Sequence, residues 1–243
     1  TLAFWMTGVC VAGGSGDVSL LRDQMIEWYG RGAPRAGVVE RYIHGQRPDG
    51  SWPDIDYANT DPGGWRTYEH LGRTLEMARA YRAAGHPMAD NPALRAAVVA
   101  AIEHWTNEDY VNSNWWYPQI GVPDALAPTL VLMAEAAPGD LRDKAIRQIL
   151  GRSKMGMTGQ NKVWLAGIAF MKGLLCDDAA MMREARNQIF EELHVTTQEG
   201  IQPDYSFHQH GPQLQWGNYG AAFSADMIQW ASIFRDTDYA LTP

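Results

Sequence analysis

The sequence predicts an all-α fold built from antiparallel helical hairpins. Apolar residues recur at helical spacing along most of the 243-residue chain, and the strict alternation typical of strands is almost absent. Turn-forming stretches such as PDGSWPD, TDPGGW and AAPGD separate the helical segments. Long helices joined by short turns form antiparallel pairs, and arrays of such pairs curl into a solenoid or close into an α/α toroid.

Each helix is predicted from its own apolar pattern. In YEHLGRTLEMARAYRAAG, Leu71, Leu75 and Ala78 follow one another at intervals of four and three residues and mark one helix face. Gly85 then provides a typical C-terminal signal. The same pattern predicts further helices at roughly 17–30, 34–46, 91–107, 122–137, 139–152, 161–177, 179–194 and 218–235.

Three longer non-helical stretches, 47–66, 108–120 and 195–217, are rich in Trp, Tyr, Asn, Asp and Gly. Loops of this kind carry function more often than stability. We expect them to lie on one side of the hairpin array and to line a groove whose aromatic faces and polar groups suit sugar rings. Trp115 and Trp116 are adjacent and point in different directions, so at least one of them is expected to leave the core.

Composition argues against two classes of partner. The formal net charge is −8 and Lys and Arg form no runs, which weighs against nucleic acid. No stretch approaches the roughly 18 apolar residues of a membrane span, so we expect no membrane partner. The first sixteen residues, TLAFWMTGVCVAGGSG, resemble the tail of a signal peptide or a cloning remnant. We therefore expect a secreted or periplasmic protein whose domain begins at residue 17.

Three segments resemble the marker segments of polysaccharide lyase family 8, which includes chondroitin AC, hyaluronate and xanthan lyases. In order, they are NWWYPQIGVPDAL, TGQNKVWLAGIAFMKGLL and EGIQPDYSFHQHGPQLQWGNYGAAF. QHGPQLQ is most similar to the chondroitin AC branch. The resemblance implies an incomplete α/α toroid that carries the catalytic groups and is followed by β-sandwich domains. It also implies cleavage of an anionic uronic-acid polysaccharide by β-elimination, without a cofactor.

The motifs of the family imply three catalytic residues in this sequence: Asn161 in TG-x-N, His210 in QH-x-P and Tyr219 in YG. Hydrogen-bond donors on Asn161 and His210 would neutralise the uronate carboxylate and stabilise the enolate-like transition state. The phenol of Tyr219 would take the C5 proton and then protonate the leaving oxygen at C4. The substrate-contact residues expected in the same motifs are Trp115, Trp116, Gln160, His208, Gln209, Trp216 and Asn218.

The resemblance also places a catalytic arginine, the last helical hairpins and the β-sandwich domains after the final residue of this chain. We therefore expect residues 17–243 to be a truncated catalytic domain that binds uronate oligosaccharides weakly and cleaves them poorly. We also expect self-association through an apolar face that further hairpins would cover. Lys162, His208 and His210 are candidates for a locally basic groove.

Two other functions stay open at this point. An inverting α/α-toroid glycosidase needs two carboxylates about 6.5–9.5 Å apart, and Asp124 and Asp204 are the best loop candidates. A non-catalytic carbohydrate-binding fragment is the second alternative. The pair His208 and His210 could suggest metal ligands, but no third ligand follows at a diagnostic spacing, so we expect no metal. An ultraviolet assay separates these functions, because only elimination creates a conjugated double bond.

Overall fold

The computed structural model describes residues 16–241, which form α-helices and one small antiparallel sheet. The predicted all-α class is confirmed. The segment interpreted as a signal-peptide tail lies outside the described residues, apart from Gly16, which begins the first helix. The helices are α1 Gly16–Gly30, α2 Ala36–Gly45, α3 Glu69–Arg82, α4 Pro92–Glu108, α5 Val122–Leu132, α6 Gly139–Gln148, α7 Gly159–Leu175, α8 Ala179–Glu191 and α9 Ala221–Phe234, and the strands are β1 Gly200–Ile201 and β2 Phe207–His208.

The helices form two rows, as expected for an α/α toroid. In the inner row α3 packs on α5, α5 on α7 and α7 on α9. Outside this row α2 and α4 pack against α3, α8 packs against α7, and α6 packs against α4. Helix α1 packs against α3, α5 and α9, so it joins the two ends of the inner row. No helix within residues 16–241 is both long and apolar enough to span a bilayer.

Hydrogen bonds fix α1 to the far end of the chain. The Gln24 side-chain amide donates to the carbonyl of Arg235 at 3.0 Å, and the Trp28 indole N–H donates to the Gln229 side chain at 2.9 Å. Arg22 forms an ion pair with Asp177 at 2.9 Å, just after α7. Because these contacts join residues far apart in sequence, α1 and α9 are held together as neighbours.

The close packing of α7 on α9 depends on a glycine. A Cβ placed on Gly167 would lie 2.7 Å from Cζ2 of Trp230, which is shorter than any ordinary contact. Trp230 in turn packs edge-on against Phe170, with 5.4 Å between the ring centroids. This contact holds the middle of α7 against the C-terminal half of α9.

Two of the loop tryptophans belong to the core. Trp52 and Trp65 are buried, so the expectation that loop 47–66 contributes free aromatic faces is wrong for both of them. The Trp52 indole donates to the carbonyl of Tyr42 at 2.9 Å, and that of Trp65 donates to the carbonyl of Asn59 at 3.0 Å. These bonds satisfy the only polar atom of each indole, so the rings pack without an unpaired donor.

Two inner helices are preceded by a π-helical turn. Tyr117–Gly121 runs into α5, and Trp216–Gly220 runs into α9. A Cβ on Gly121 would lie 2.4 Å from the indole of Trp116, so only glycine fits beneath this ring. The sequence pattern predicted loop for most of the first turn, and wide π turns are frequent at functional sites.

Helix α5 differs most from its predicted length. The apolar pattern predicts a helix to residue 137, but α5 ends at Leu132. The chain then forms tight turns, in which the N–H of Ala136 donates to the carbonyl of Met133 at 2.9 Å. The following residues are still apolar because they continue to face the core, which the pattern alone cannot distinguish from a longer helix.

Candidate active site

The structure brings His210 and Tyr219 together. Nε2 of His210 lies 3.0 Å from the Tyr219 hydroxyl, and the two rings meet edge-on with 5.0 Å between their centroids. His210 is exposed on the loop after β2, and Tyr219 is partly exposed in the π-helical turn before α9. Burial, followed by the negative charge of Glu199, raises the pKa of the Tyr219 phenol.

Glu199 fixes the loop on both sides of His210. One carboxylate oxygen accepts the N–H of Gly211 at 2.8 Å. The other accepts the hydroxyl of Thr158 at 2.6 Å and a short hydrogen bond from the Gln209 side chain. His210 itself has a left-handed backbone with φ of 58°, an uncommon conformation for a non-glycine residue. The glutamate therefore stabilises a tight turn that presents the imidazole.

Asn161 lies in the first turn of α7, where neighbouring side chains hold the backbone. The N–H of Gly159 donates to Glu192 at 2.8 Å, and the N–H of Gln160 donates to the Gln209 side chain at 2.9 Å. Asn161 is only 7% exposed, and its side-chain oxygen has no hydrogen-bond partner among the described residues. The backbone at the start of α7 is therefore held in place, and the Asn161 side-chain oxygen is not committed to an internal hydrogen bond.

An aromatic wall connects these groups. Trp164 follows Asn161 by three residues on α7, so both side chains lie on the same helix face. The centroid of the Trp164 ring is 5.7 Å from that of Tyr219 and 5.8 Å from that of Trp116. We call Trp116, Trp164 and Tyr219 the aromatic wall. Sequence reasoning missed Trp164, although its spacing from Asn161 was visible.

The predicted substrate-contact residues divide by exposure. Trp115 is 44% exposed, which confirms that the Trp115–Trp116 pair does not lie wholly in the core. Trp216 is 57% exposed. Asn218 is also exposed, and His208 is partly buried in β2. These residues are accessible enough to contact a substrate, and that contact stays a prediction.

Gln160 and Gln209 differ from that expectation. They are 0% and 1% exposed. The Gln160 side chain donates a short hydrogen bond to Asp226, and that of Gln209 joins Glu199 to the backbone of α7. Their burial and hydrogen bonds favour a role in holding the site residues in place over direct contact with a substrate.

Lys162 does not offer the free positive charge expected of a basic groove. Its ammonium group lies 3.0 Å from Glu191 and 3.1 Å from Glu192. The two carboxylates neutralise it, and the ammonium in turn balances Glu192, which binds the start of α7. The role of Lys162 is therefore to stabilise the N-terminal end of α7.

A pair of carboxyl groups lies behind the aromatic wall. Burial is the largest effect on Asp226 and raises its pKa to about 6, although the interactions of its carboxyl group with Gln160 and Trp164 lower it. Burial and the nearby charge of Asp226 raise the pKa of Asp124 to about 7. Both carboxyl groups therefore carry protons at pH values where an exposed aspartate is ionised.

Asp204, the other carboxylate considered for a glycosidase, is exposed in a turn. It accepts hydrogen bonds from the backbone N–H of Ser206 at 3.0 Å and from its hydroxyl at 2.7 Å, and these bonds lower its pKa. Its partners are thus local, whereas the charge that acts on Asp124 is that of Asp226. Across residues 16–241 no three or more His, Cys, Asp or Glu side chains are grouped as metal ligands.

The fold and these motifs match a known protein family. A family model described as the N-terminal α-helical domain of polysaccharide lyase family 8 matches residues 42–243. The chain belongs to polysaccharide lyase family 8. The resemblance of the three motif segments to this family is therefore confirmed.

Similar proteins are named for their action on polysaccharides. This family 8 domain is 32% identical over 210 residues to the chondroitinase-AC of Pedobacter heparinus, covering 84% of this chain and 30% of that protein. It is 30% identical over 178 residues to the hyaluronate lyase of Thermasporomyces composti, covering 70% of this chain and 22% of that protein. A chondroitinase AC lyase solved as enzyme–oligosaccharide complexes matches with a TM-score of 0.81 at 29% identity, covering 93% of this chain and 34% of that one. The chain thus spans about a third or less of the length of each.

Proposed function

We propose that this chain is the catalytic helical domain of a lyase that cleaves uronic-acid polysaccharides of the chondroitin or hyaluronan type by β-elimination. The observation that carries the proposal is the 3.0 Å contact between His210 and Tyr219, at one end of the aromatic wall. The relatives named chondroitinase-AC and hyaluronate lyase support this substrate class.

The first task of the site is to make the C5 proton of the uronate acidic. Removing this proton places additional negative charge on a group that already carries a carboxylate. Donors aimed at the carboxylate stabilise that charge more in the transition state than in the ground state. We assign this role to the side-chain NH2 group of Asn161, which can donate, and to the imidazole of His210.

The second task is proton transfer, which we assign to Tyr219. Its phenolate takes the C5 proton, the electron pair of the C5–H bond forms the C4–C5 double bond, and the C4–O bond breaks. The same phenol then donates its proton to the departing C4 oxygen, so the tyrosine ends the cycle as it began. One group can serve in both steps when the proton and the leaving oxygen lie on the same face of the sugar.

The protonation state of Tyr219 limits the rate. Both effects that act on this phenol, burial and the charge of Glu199, raise its pKa, and no cation among the described residues lowers it. The phenolate is therefore scarce at neutral pH. We expect these residues alone to eliminate slowly near pH 7 and faster at alkaline pH.

The proposal is tested by incubating the chain with chondroitin and with hyaluronan at several pH values and recording ultraviolet absorbance. We expect a slow increase that requires Tyr219 and becomes faster as the pH rises. Reducing ends that appear without this absorbance would indicate a hydrolase. Binding without any new ends at any pH would indicate a carbohydrate-binding module, and either outcome would overturn the proposal.

A further inference from the structure

We propose that Trp164 is a substrate-contact residue at the centre of this site and that Asp226 positions it. The inference rests on the proposed function, because it assumes that the aromatic wall receives a sugar ring. Trp164 lies close to Asn161 in sequence, but it is not among the catalytic or substrate-contact residues that the family motifs imply.

The position of Trp164 carries the inference. Its ring meets Trp116 almost at a right angle, with an interplanar angle of 78°, and is tilted by 48° against Tyr219. It is partly exposed, whereas the adjacent residues Val163 and Leu165 are buried. The indole is therefore partly accessible, and it lies beside Trp116 and Tyr219.

The surroundings of the indole suit a sugar ring. A uronate whose C5 proton lies within reach of the Tyr219 hydroxyl would have its ring near Trp164, because the Trp164 and Tyr219 ring centroids are 5.7 Å apart. The apolar C–H face of a sugar loses water when it packs on an indole, and this desolvation favours binding. Tryptophans that serve only as packing in this fold, such as Trp105 and Trp230, are buried.

Asp226 fixes the orientation of this indole. It lies on α9, two turns after Tyr219, and accepts a short hydrogen bond from Gln160 on α7. The Trp164 indole interacts with the same carboxyl group and lowers its pKa. Gln160 and Trp164 are four residues apart and so share a helix face. One carboxyl group thus joins α7 to α9 directly behind the aromatic wall. The charge of Asp226 also reaches α5, where it raises the pKa of Asp124.

The test measures binding of a chondroitin tetrasaccharide by calorimetry. We expect Trp164→Ala to weaken binding about tenfold and Trp164→Phe about threefold, because phenylalanine keeps a smaller apolar face. Trp28→Phe, on α1 away from the aromatic wall, is the matched control and should bind like the wild type. Circular dichroism and thermal melting verify that each variant is folded.

A spectroscopic measurement keeps the inference testable if Trp164→Ala does not fold. The indole N–H resonance of Trp164, assigned by its loss in Trp164→Phe, should shift more during titration than those of tryptophans outside the site. In Asp226→Asn the same resonance should move before any ligand is added, and affinity should decrease about threefold. A general loss of stability would not move this resonance selectively.

The outcomes separate the two proposals. If the wild type neither binds the tetrasaccharide nor eliminates, the proposed function fails and this inference fails with it. If the wild type binds and Trp164→Ala or Trp164→Phe binds equally well, or the Trp164 resonance does not respond, Trp164 is not a contact and the proposed function stands. An unmoved resonance in Asp226→Asn would overturn the positioning role.

Discussion

The side chains of His210 and Tyr219 meet at 3.0 Å because the loop after β2 folds back against the π-helical turn before α9. The N–H of Gln215 donates to the carbonyl of Phe207, and the N–H of Gly220 donates to the carbonyl of Gln215, both at 2.9 Å. These two bonds connect β2 to the start of α9. The pair is therefore held by the backbone and does not depend on a flexible encounter.

The proposed general base can be tested by Tyr219→Phe, which removes the hydroxyl and keeps the ring in the aromatic wall. Ultraviolet turnover should decrease by a factor of about 10²–10⁴, the usual contribution of a positioned acid or base. Tetrasaccharide affinity, measured by calorimetry, should change by less than about twofold because the apolar ring remains. Undiminished turnover in this variant would assign the base to another residue.

Glu199→Gln should lower the pKa of the Tyr219 phenol, because the negative charge of Glu199 is one cause of its elevation. Glutamine keeps an oxygen that can accept the N–H of Gly211, so part of the loop restraint is retained. The phenolate absorbance of Tyr219 is isolated by subtracting the titration of Tyr219→Phe. Glu184→Gln, an exposed site on α8, removes the same charge elsewhere. Equal titration of Tyr219 in both variants would contradict the electrostatic role of Glu199.

The partly buried carboxyl pair should make the protein less stable as the pH rises. Asp226 and Asp124 have folded-state pKa values of about 6 and about 7, against an ordinary value of 3.8. Between about pH 4 and pH 7 the folded state holds protons that the unfolded state has released, so the free energy of unfolding decreases with pH. Asp124→Asn removes one of these groups.

Urea midpoints measure this effect. The wild type should have a lower midpoint at pH 8 than at pH 5, and Asp124→Asn should show a smaller difference and exceed the wild type at pH 8. Asp23→Asn, at an exposed position of α1, is the matched control and should retain the wild-type difference. An identical difference in all three proteins would mean that Asp124 is ionised throughout.

Gly167→Ala should destabilise the fold, because the new methyl group would lie 2.7 Å from Trp230. Overpacking of this kind typically costs about 1–3 kcal/mol. Gly72→Ala, on the exposed side of α3 with nothing within 4 Å of the added Cβ, should stabilise by up to about 1 kcal/mol through helix propensity alone. Thermal or urea unfolding of the two variants checks the opposite signs, and equal effects would contradict the close contact of α7 with α9.

Helices whose start and stop signals are local could be predicted from the sequence. For α4, the start is marked by Asn91, whose side chain accepts the N–H of Ala93 at 2.9 Å and that of Leu94 at 3.1 Å. The π-helical turn before α5 was not predictable from such signals. It depends on tertiary contacts, among them the hydrogen bond from the Tyr68 hydroxyl to the carbonyl of Gly121 at 2.9 Å.

The same distinction applies to the site. Motif resemblance identified His210 and Tyr219, which the structure then brings together. Glu199 and Asp226 act through partners on other elements, so no local pattern marks them. The burial of Gln160 could not be predicted either, because a polar residue in a motif is as consistent with a substrate contact as with an internal bond. The hydrogen bond from Gln160 to Asp226 distinguishes the two.

The π-helical turn Trp216–Gly220 makes the geometry of the site depend on chain length. A turn of this kind contains one residue more than regular α-helical pitch requires. Removing a single residue from it would rotate α9 by about 100° relative to the incoming loop. The buried face of α9 could remain in the core only if the loop detached, and His210 and Tyr219 would then be out of phase. The number of residues in this turn is therefore constrained as well as their identity.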